Sequence, residues 1–212
     1  MADAHAPIHV TAATTDRAVA AGWFTEFEGA GLDGLVAKQL DGTYEPDKRT
    51  MAKIKHERTA DCVVAGYRVH KSGPGAIGSL LLGIYADGTL LSVGVIGALP
   101  MARRRELFQE LQPLVTTFED HPWNWAAEEQ GTRTPQAAAG SRWAAGKDLS
   151  FTPLRPERVV EVRYDHMEGV RFRHTAQFVR WRPDKAPEEC TFEQLEEPVS
   201  YDLSAVLSGG RA

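Results

Sequence analysis

The 212-residue sequence is short of several things at once, and each shortage removes a class of function. It has two cysteines, Cys62 and Cys190, far apart and without the paired spacing of a zinc site. One disulfide between them is possible in principle, but two free thiols in a reducing compartment is the expectation. No apolar run approaches the roughly 18 residues of a membrane span. Residues 1–10 show no basic region leading into an apolar stretch, so they do not read as a signal peptide. A cytoplasmic protein with no membrane partner is therefore expected. His56, His121, His166 and His174 show no metal-ligand spacing. The sequence also lacks a Gly-Lys-Ser/Thr loop, a serine-nucleophile elbow, a dinucleotide fingerprint and any internal repeat.

What is present is ordinary in bulk and uneven in detail. Hydrophobic residues make up 42% and charged residues 25%, as in a globular chain of one large domain or two modest ones. The net charge of −5 argues against indiscriminate binding of polyanions and leaves a local basic patch as the route to nucleic acid. Residues 155–185 are rich in arginine, and residues 188–202 are acidic.

Along the chain, Thr14, Thr15 and Asp16 precede a helical pattern with Val19, Trp23 and Phe27 on one face, ended by Gly29 and Gly31. A short strand is predicted at residues 33–38, closed by the turn signal Asp41-Gly42, and another at 50–56. From Asp61 the strands lengthen, to 62–69, 79–85 and 89–96, with Asp87-Gly88 marking a hairpin. A helix is predicted over 101–114 with Leu107, Phe108 and Leu111 on one side, and Arg103-Arg104-Arg105 as an exposed face. Residues 119–150 form a long excursion carrying Trp123, Trp125 and Trp143. Strands resume at 159–164 and around 172–181, and Thr191 with Gln194 offers a capping box. This is a mainly β, α+β chain whose second part suits a small closed barrel. The first 58 residues are too few strands to make an independent core.

Several groups here suit phosphate chemistry. Lys53 and Lys55 alternate onto one strand face roughly 7 Å apart, a spacing that grips a phosphate from two sides and that an ordinary solvated strand shows as well. Asp33, at the head of a strand ending in Lys38, offers a carboxylate to Mg²⁺, although Asp-Gly is also a common turn. Arg180 and Arg182 fall on one side of an extended segment, with Asp184 placed to orient a cation and Lys185 beside it. Arginine forks match phosphate, and a charged strand end reads the same way.

Taken in order, these segments resemble the covalent nucleotidyltransferases, which comprise DNA ligases, RNA ligases and capping enzymes. FEGAGLDGLVAK at 27–38 is similar to their fourth motif, MAKIKH at 51–56 to the fifth, and RHTAQFVRWRPDK at 173–185 to the sixth. The text between, including KHERTADCVVAGYR and GSLLLGIYADG, is similar to the bacterial ATP-dependent ligases of the ligase C group. The resemblance implies a partial antiparallel nucleotidyltransferase sheet over residues 1–58, followed by an OB-fold β-barrel over 59–212. It implies ATP and Mg²⁺ as cofactors and nicked duplex DNA as partner, with RNA an alternative strand that no residue here distinguishes. By position, Asp33 takes the metal-binding place, with Glu28 as fallback. Lys38, Lys53 and Lys55 belong to the phosphate-binding set, with Lys53 and Lys55 as the catalytic pair at the α-phosphate. Arg180, Arg182, Asp184 and Lys185 belong to the same set, with Arg182, Asp184 and Lys185 closing on the nucleotide and orienting the pyrophosphate. A hinge near Glu57 and Arg58 is implied.

One departure is large. The family's first motif is Lys-x-Asp-Gly, whose lysine carries AMP. The Asp-Gly pairs here start at Asp33, Asp41 and Asp87, preceded two residues earlier by Gly31, Gln39 and Tyr85. The adenylated lysine is absent from these residues, and so is the third motif. The expectation is a chain starting midway through the catalytic domain and unable to adenylate itself, with a separately encoded N-terminal ligase fragment as a candidate partner. The alternative is a non-catalytic OB-fold module that binds single strands by stacking on Trp123, Trp125, Trp143 and Trp181.

Overall fold

A computed structural model describes residues 9–124, 150–195 and 202–207. The chain divides into two compact units: one runs to His56 and includes the C-terminal segment with the helix Leu203–Leu207, the other spans Glu57–Leu195.

In the first unit, helix α1 (Arg17–Glu26) starts where the Asp16 carboxylate accepts the Ala18 N–H at 2.7 Å. A 3-10 turn at Phe27–Ala30 follows, ending at Gly31. Strand β1 (Gly34–Ala37) then pairs antiparallel with β2 (Ala52–Lys55), and among the described residues these two strands form a sheet of their own. No residue of α1 or β2 is buried, and Val36, Met51 and Ile54 are about half exposed.

The second unit is built on five strands: β3 (Arg58–Val69), β4 (Ile77–Ala86), β5 (Thr89–Ile96), β6 (Thr152–Tyr164) and β9 (Gln177–Trp181). Arg58 is buried and paired with Tyr164, so β3 begins ahead of the boundary expected after residue 58. The sheet order is β5-β4-β3-β6-β9, antiparallel throughout. Its two edges meet where the Ala176 N–H donates to the Val95 carbonyl at 3.0 Å, with Ala176 bridged parallel to Ile96. Helix α2 (Met101–Leu111) lies in the connection between the third and fourth barrel strands, and a hairpin of β7 (Met167–Glu168) and β8 (Arg171–Phe172) between the fourth and fifth. A five-stranded barrel with that order and a helix after its third strand is an OB fold.

The apolar runs are continuous because both strand faces are covered. Cys62, Val64, Leu80, Leu82, Ile84, Val160 and Val162 fill the barrel with Leu107 and Leu111 of α2. Val63, Ala65, Leu81, Leu90 and Val159 point the other way, into a second cluster around Trp123. The β4–β5 turn places Asp87 at φ 48° and Gly88 at φ 75°, the paired left-handed conformations of a tight hairpin. Both cysteines are free and buried. Burial pushes the Cys62 thiol up and holds the Cys190 thiol at about 12.

Three expectations need correcting. Arg104 is not on an exposed face: it is 9% exposed and donates to the carbonyls of Leu99, Ile77, Gly78 and Gly97 at 2.5–2.8 Å. Five donors in one planar group let it satisfy several strand ends together. Thr191 and Gln194 do not form a capping box, because Gln194 spends its side-chain amide on the backbone of Asp61. Trp123 is not a stacking platform: it is 1% exposed and its indole N–H donates to the Leu90 carbonyl at 2.8 Å. Trp125 and Trp143 lie outside the described residues.

Candidate functional site

The candidate residues fall into two groups, one in each unit. In the first unit the β1–β2 register sets Lys55 opposite Gly34 and Lys53 opposite Val36, so both lysines share the face of Gly34 and Val36. Gly34 makes this register possible. Its φ is +146°, and a Cβ there would stand 2.1 Å from the Ile54 carbonyl oxygen. The close approach leaves Asp33, the residue before it, hydrogen-bonded to the Lys55 ammonium at 2.7 Å. Both side chains are solvated, 55% and 37% exposed, so the pair is loose and open to competition from a bound anion or cation.

Lys38 is exposed just beyond β1. Glu28 lies 3.5 Å from His56, whose Nε2 is 2.8 Å from the Phe24 carbonyl and whose ring stacks on Phe24 at 3.8 Å between centroids. The described residues contain no cluster of three groups that would cage a metal. Asp33 nevertheless fits a Mg²⁺ site, since this ion takes one or two carboxylates and fills its shell with phosphate oxygens and water.

In the second unit the sixth-motif segment gathers on the outer face of β3, β6 and β9. Asp61 on β3 lies opposite Glu161 on β6, which lies opposite Arg180 on β9. Arg180 Nε sits 2.6 Å from Glu161 Oε2 as an ion pair without hydrogen-bond alignment. Just past β9, the Arg182 N–H donates to the Val159 carbonyl at 2.9 Å, which fixes the root of its side chain. Its Nη1 donates to both oxygens of Asp61, at 3.0 and 2.9 Å. Its Nε and Nη2 donate to Asp184 at 2.8–3.1 Å. Lys185 Nζ donates to Asp61 Oδ2 at 2.9 Å. The hydrogen bonds from Arg182 hold the Asp184 carboxyl at about 2, and Asp184 in turn raises the Arg182 guanidinium.

So the structure brings Asp33 to Lys55, and Arg182 to Asp184 and Lys185, while Arg180 turns to Glu161. Sequence reading gave no site role to Asp61 or Glu161, and read Gln194 only as part of a helix cap. A signal for Asp61 existed: a carboxylate at the head of an apolar strand needs a cation, because an unpaired buried charge is costly.

Comparison with known proteins gives a consistent picture. Residues 73–185 match the family model described as the ATP dependent DNA ligase C terminal region, and residues 2–55 match the ATP dependent DNA ligase domain. The chain is 69% identical to DNA ligase C of Mycobacterium tuberculosis (strain ATCC 25618 / H37Rv), over 99% of this chain and 59% of that protein. It is 68% identical to DNA ligase C2 of Mycolicibacterium smegmatis (strain ATCC 700084 / mc(2)155), over 93% of this chain and 57% of the relative. The chain thus spans less than two thirds of the length of these relatives. The solved ligase domain from M. tuberculosis LigD is 30% identical, with 77% of this chain and 48% of that chain covered at a TM-score of 0.48. No helix among the described residues is long and apolar enough to cross a membrane.

Proposed function

We propose that this chain, which belongs to the ATP-dependent DNA ligase family, carries the phosphate-handling groups for sealing nicks in duplex DNA but not the amine that takes up AMP. The observation that carries this reading is the tethered quartet of Asp61, Arg182, Asp184 and Lys185, two cations held by two carboxylates at the place of the family's sixth motif.

Each group has a distinct task. Lys53 and Lys55 hold the α-phosphate from one strand face, and Lys38 adds positive charge at the end of β1. Arg182 and Lys185 take the departing pyrophosphate, Asp184 holds the Arg182 fork in plane, and Arg180 contributes charge beside it. Mg²⁺, when bound at Asp33 with Glu28 as the alternative carboxylate, supplies charge neutralisation at the phosphates. Phosphoryl transfer asks for little beyond such positioning and charge stabilisation.

Good binding does not replace a nucleophile. Loss of one in a well-studied hydrolase costs roughly 10⁶ in rate. A polypeptide of these 212 residues, incubated with radiolabelled ATP and Mg²⁺ and then boiled, is expected to carry no label. A heat-stable labelled band would refute the reading. A protein segment bearing Lys-x-Asp-Gly, supplied separately, is expected to restore nick sealing; a bare DNA-binding module would gain nothing from it. The burial of Trp123 speaks against that second reading.

A further inference from the structure

Asp61 is unusual among the charged residues of the barrel: its side chain is 11% exposed, yet it meets two cations. Its backbone is held on both sides by one residue. The Asp61 N–H donates to Gln194 Oε1 at 2.7 Å, and Gln194 Nε2 donates to the Asp61 carbonyl at 3.0 Å. Because Asp61 lies within strand β3, paired to Glu161, it has no freedom to follow a moving loop.

Arg182 and Lys185 are themselves mostly covered, at 21% and 20% exposure. If they left Asp61 to grip an anion, a nearly buried carboxylate would remain without compensation, which is strongly unfavourable. They have no need to leave. A guanidinium has five N–H groups and an ammonium three, and the bonds to Asp61 and Asp184 leave donors over on both side chains. The favoured arrangement keeps both cations on Asp61 while their remaining N–H groups meet phosphate oxygens.

We propose that Asp61 is a positioning residue, which sets Arg182 and Lys185 at a fixed separation for the two phosphoryl groups of pyrophosphate. This rests on the reading that these cations serve the nucleotide's phosphates, and the test separates the two claims. Inorganic pyrophosphate and orthophosphate are titrated into the full chain by calorimetry, for the unaltered protein and for Arg182→Ala, Asp61→Asn, Asp61→Glu and Gln194→Ala.

The unaltered chain is expected to prefer pyrophosphate, and Arg182→Ala to lose about tenfold in affinity, the worth of one charge-assisted hydrogen bond. Absence of pyrophosphate binding, or no effect of Arg182→Ala, would overturn the underlying reading and this proposal with it. Given binding that depends on Arg182, Asp61→Asn is expected to weaken pyrophosphate about tenfold and orthophosphate much less, with Asp61→Glu recovering part of the loss. Removing a negative charge would by Coulomb attraction alone tighten an anion. Unchanged or tighter pyrophosphate binding in Asp61→Asn, or equal loss of both anions, therefore sinks the positioning role. Should Asp61→Asn fail to fold, Gln194→Ala decides: a selective loss of pyrophosphate supports the proposal and no change refutes it.

Discussion

The two units mount the cations proposed to meet phosphate on opposite kinds of support. In the barrel, the cations of the sixth-motif segment rest on a carboxylate that is nearly buried in a strand covered on both faces. In the first unit, Lys53 and Lys55 stand on a two-stranded sheet with no buried residue in β2, and the Asp33–Lys55 pair is solvated. The first arrangement fixes direction before any ligand arrives, because moving a cation exposes an uncompensated charge. In the second the pair stands in solvent, where an ion pair is worth little. What a surface cation can do is therefore set as much by what lies under it as by its own charge.

The sharpest way to break that contrast is to remove material from each support. Trp123→Ala deletes the centre of the outer apolar cluster and the hydrogen bond to Leu90, and is expected to cost the barrel about 4 kcal/mol in urea unfolding followed by circular dichroism. Arg104→Leu strands four carbonyls at the barrel mouth and is expected to cost about 3 kcal/mol. Ile54→Ala, on the exposed strand β2, is expected to move the same transition by less than about 0.5 kcal/mol. A loss as large as that of Trp123→Ala would mean that Ile54 is not an exposed side chain.

Hydrogen exchange sharpens the comparison residue by residue. Amides of β3, β4 and β6 are expected to exchange by global unfolding and those of β1 and β2 by local opening. Equal protection in both would mean that the first unit is held as firmly as the barrel. Gly34→Val is the local test. A side chain there meets the Ile54 carbonyl in a backbone conformation that disfavours valine, at a cost of about 2 kcal/mol. Faster exchange across residues 52–55 is expected, with no change in the barrel.

How much of this was legible in the sequence depends on the range of the interaction. The Asp87-Gly88 hairpin, the strand Thr89–Ile96 and the shared face of Lys53 and Lys55 follow from neighbours in the chain, so they could be read directly. Strand β6 starts at Thr152, seven residues before the expected 159, because Pro153 and Pro156 disguise a segment held by pairing with β3. Arg104 looks the same in sequence as Arg103 and Arg105, and only the folded positions of four carbonyls, two of them 26 and 27 residues away, select it for burial. The partners of Asp61 lie 121 and 124 residues away. Local pattern can say that such a carboxylate needs a cation, but barrel closure chooses which one.

The smallest expected effect concerns pH and belongs to the barrel alone. His121 is 3% exposed; its Nδ1 accepts the Trp123 N–H at 3.0 Å, and its Nε2 lies 2.8 Å from the Ala65 carbonyl and 3.1 Å from that of Leu154. Ala65 is the residue skipped at the β3 bulge, so the ring satisfies a carbonyl that the ladder leaves over. These partners require the neutral ring protonated at Nε2, and burial pushes its pKa below the usual 6.5. The unfolded chain then binds a proton more readily than the folded one, so stability is complete above about pH 6.5 and declines as pH falls from there through the folded value. His121→Gln keeps a donor for Ala65 and removes the titration. It is expected to lower stability at pH 7.5 while flattening its fall toward pH 5, measured as the difference between the two proteins' melting temperatures. A difference that stayed constant from pH 7.5 to 5 would mean that His121 is not held neutral in the barrel.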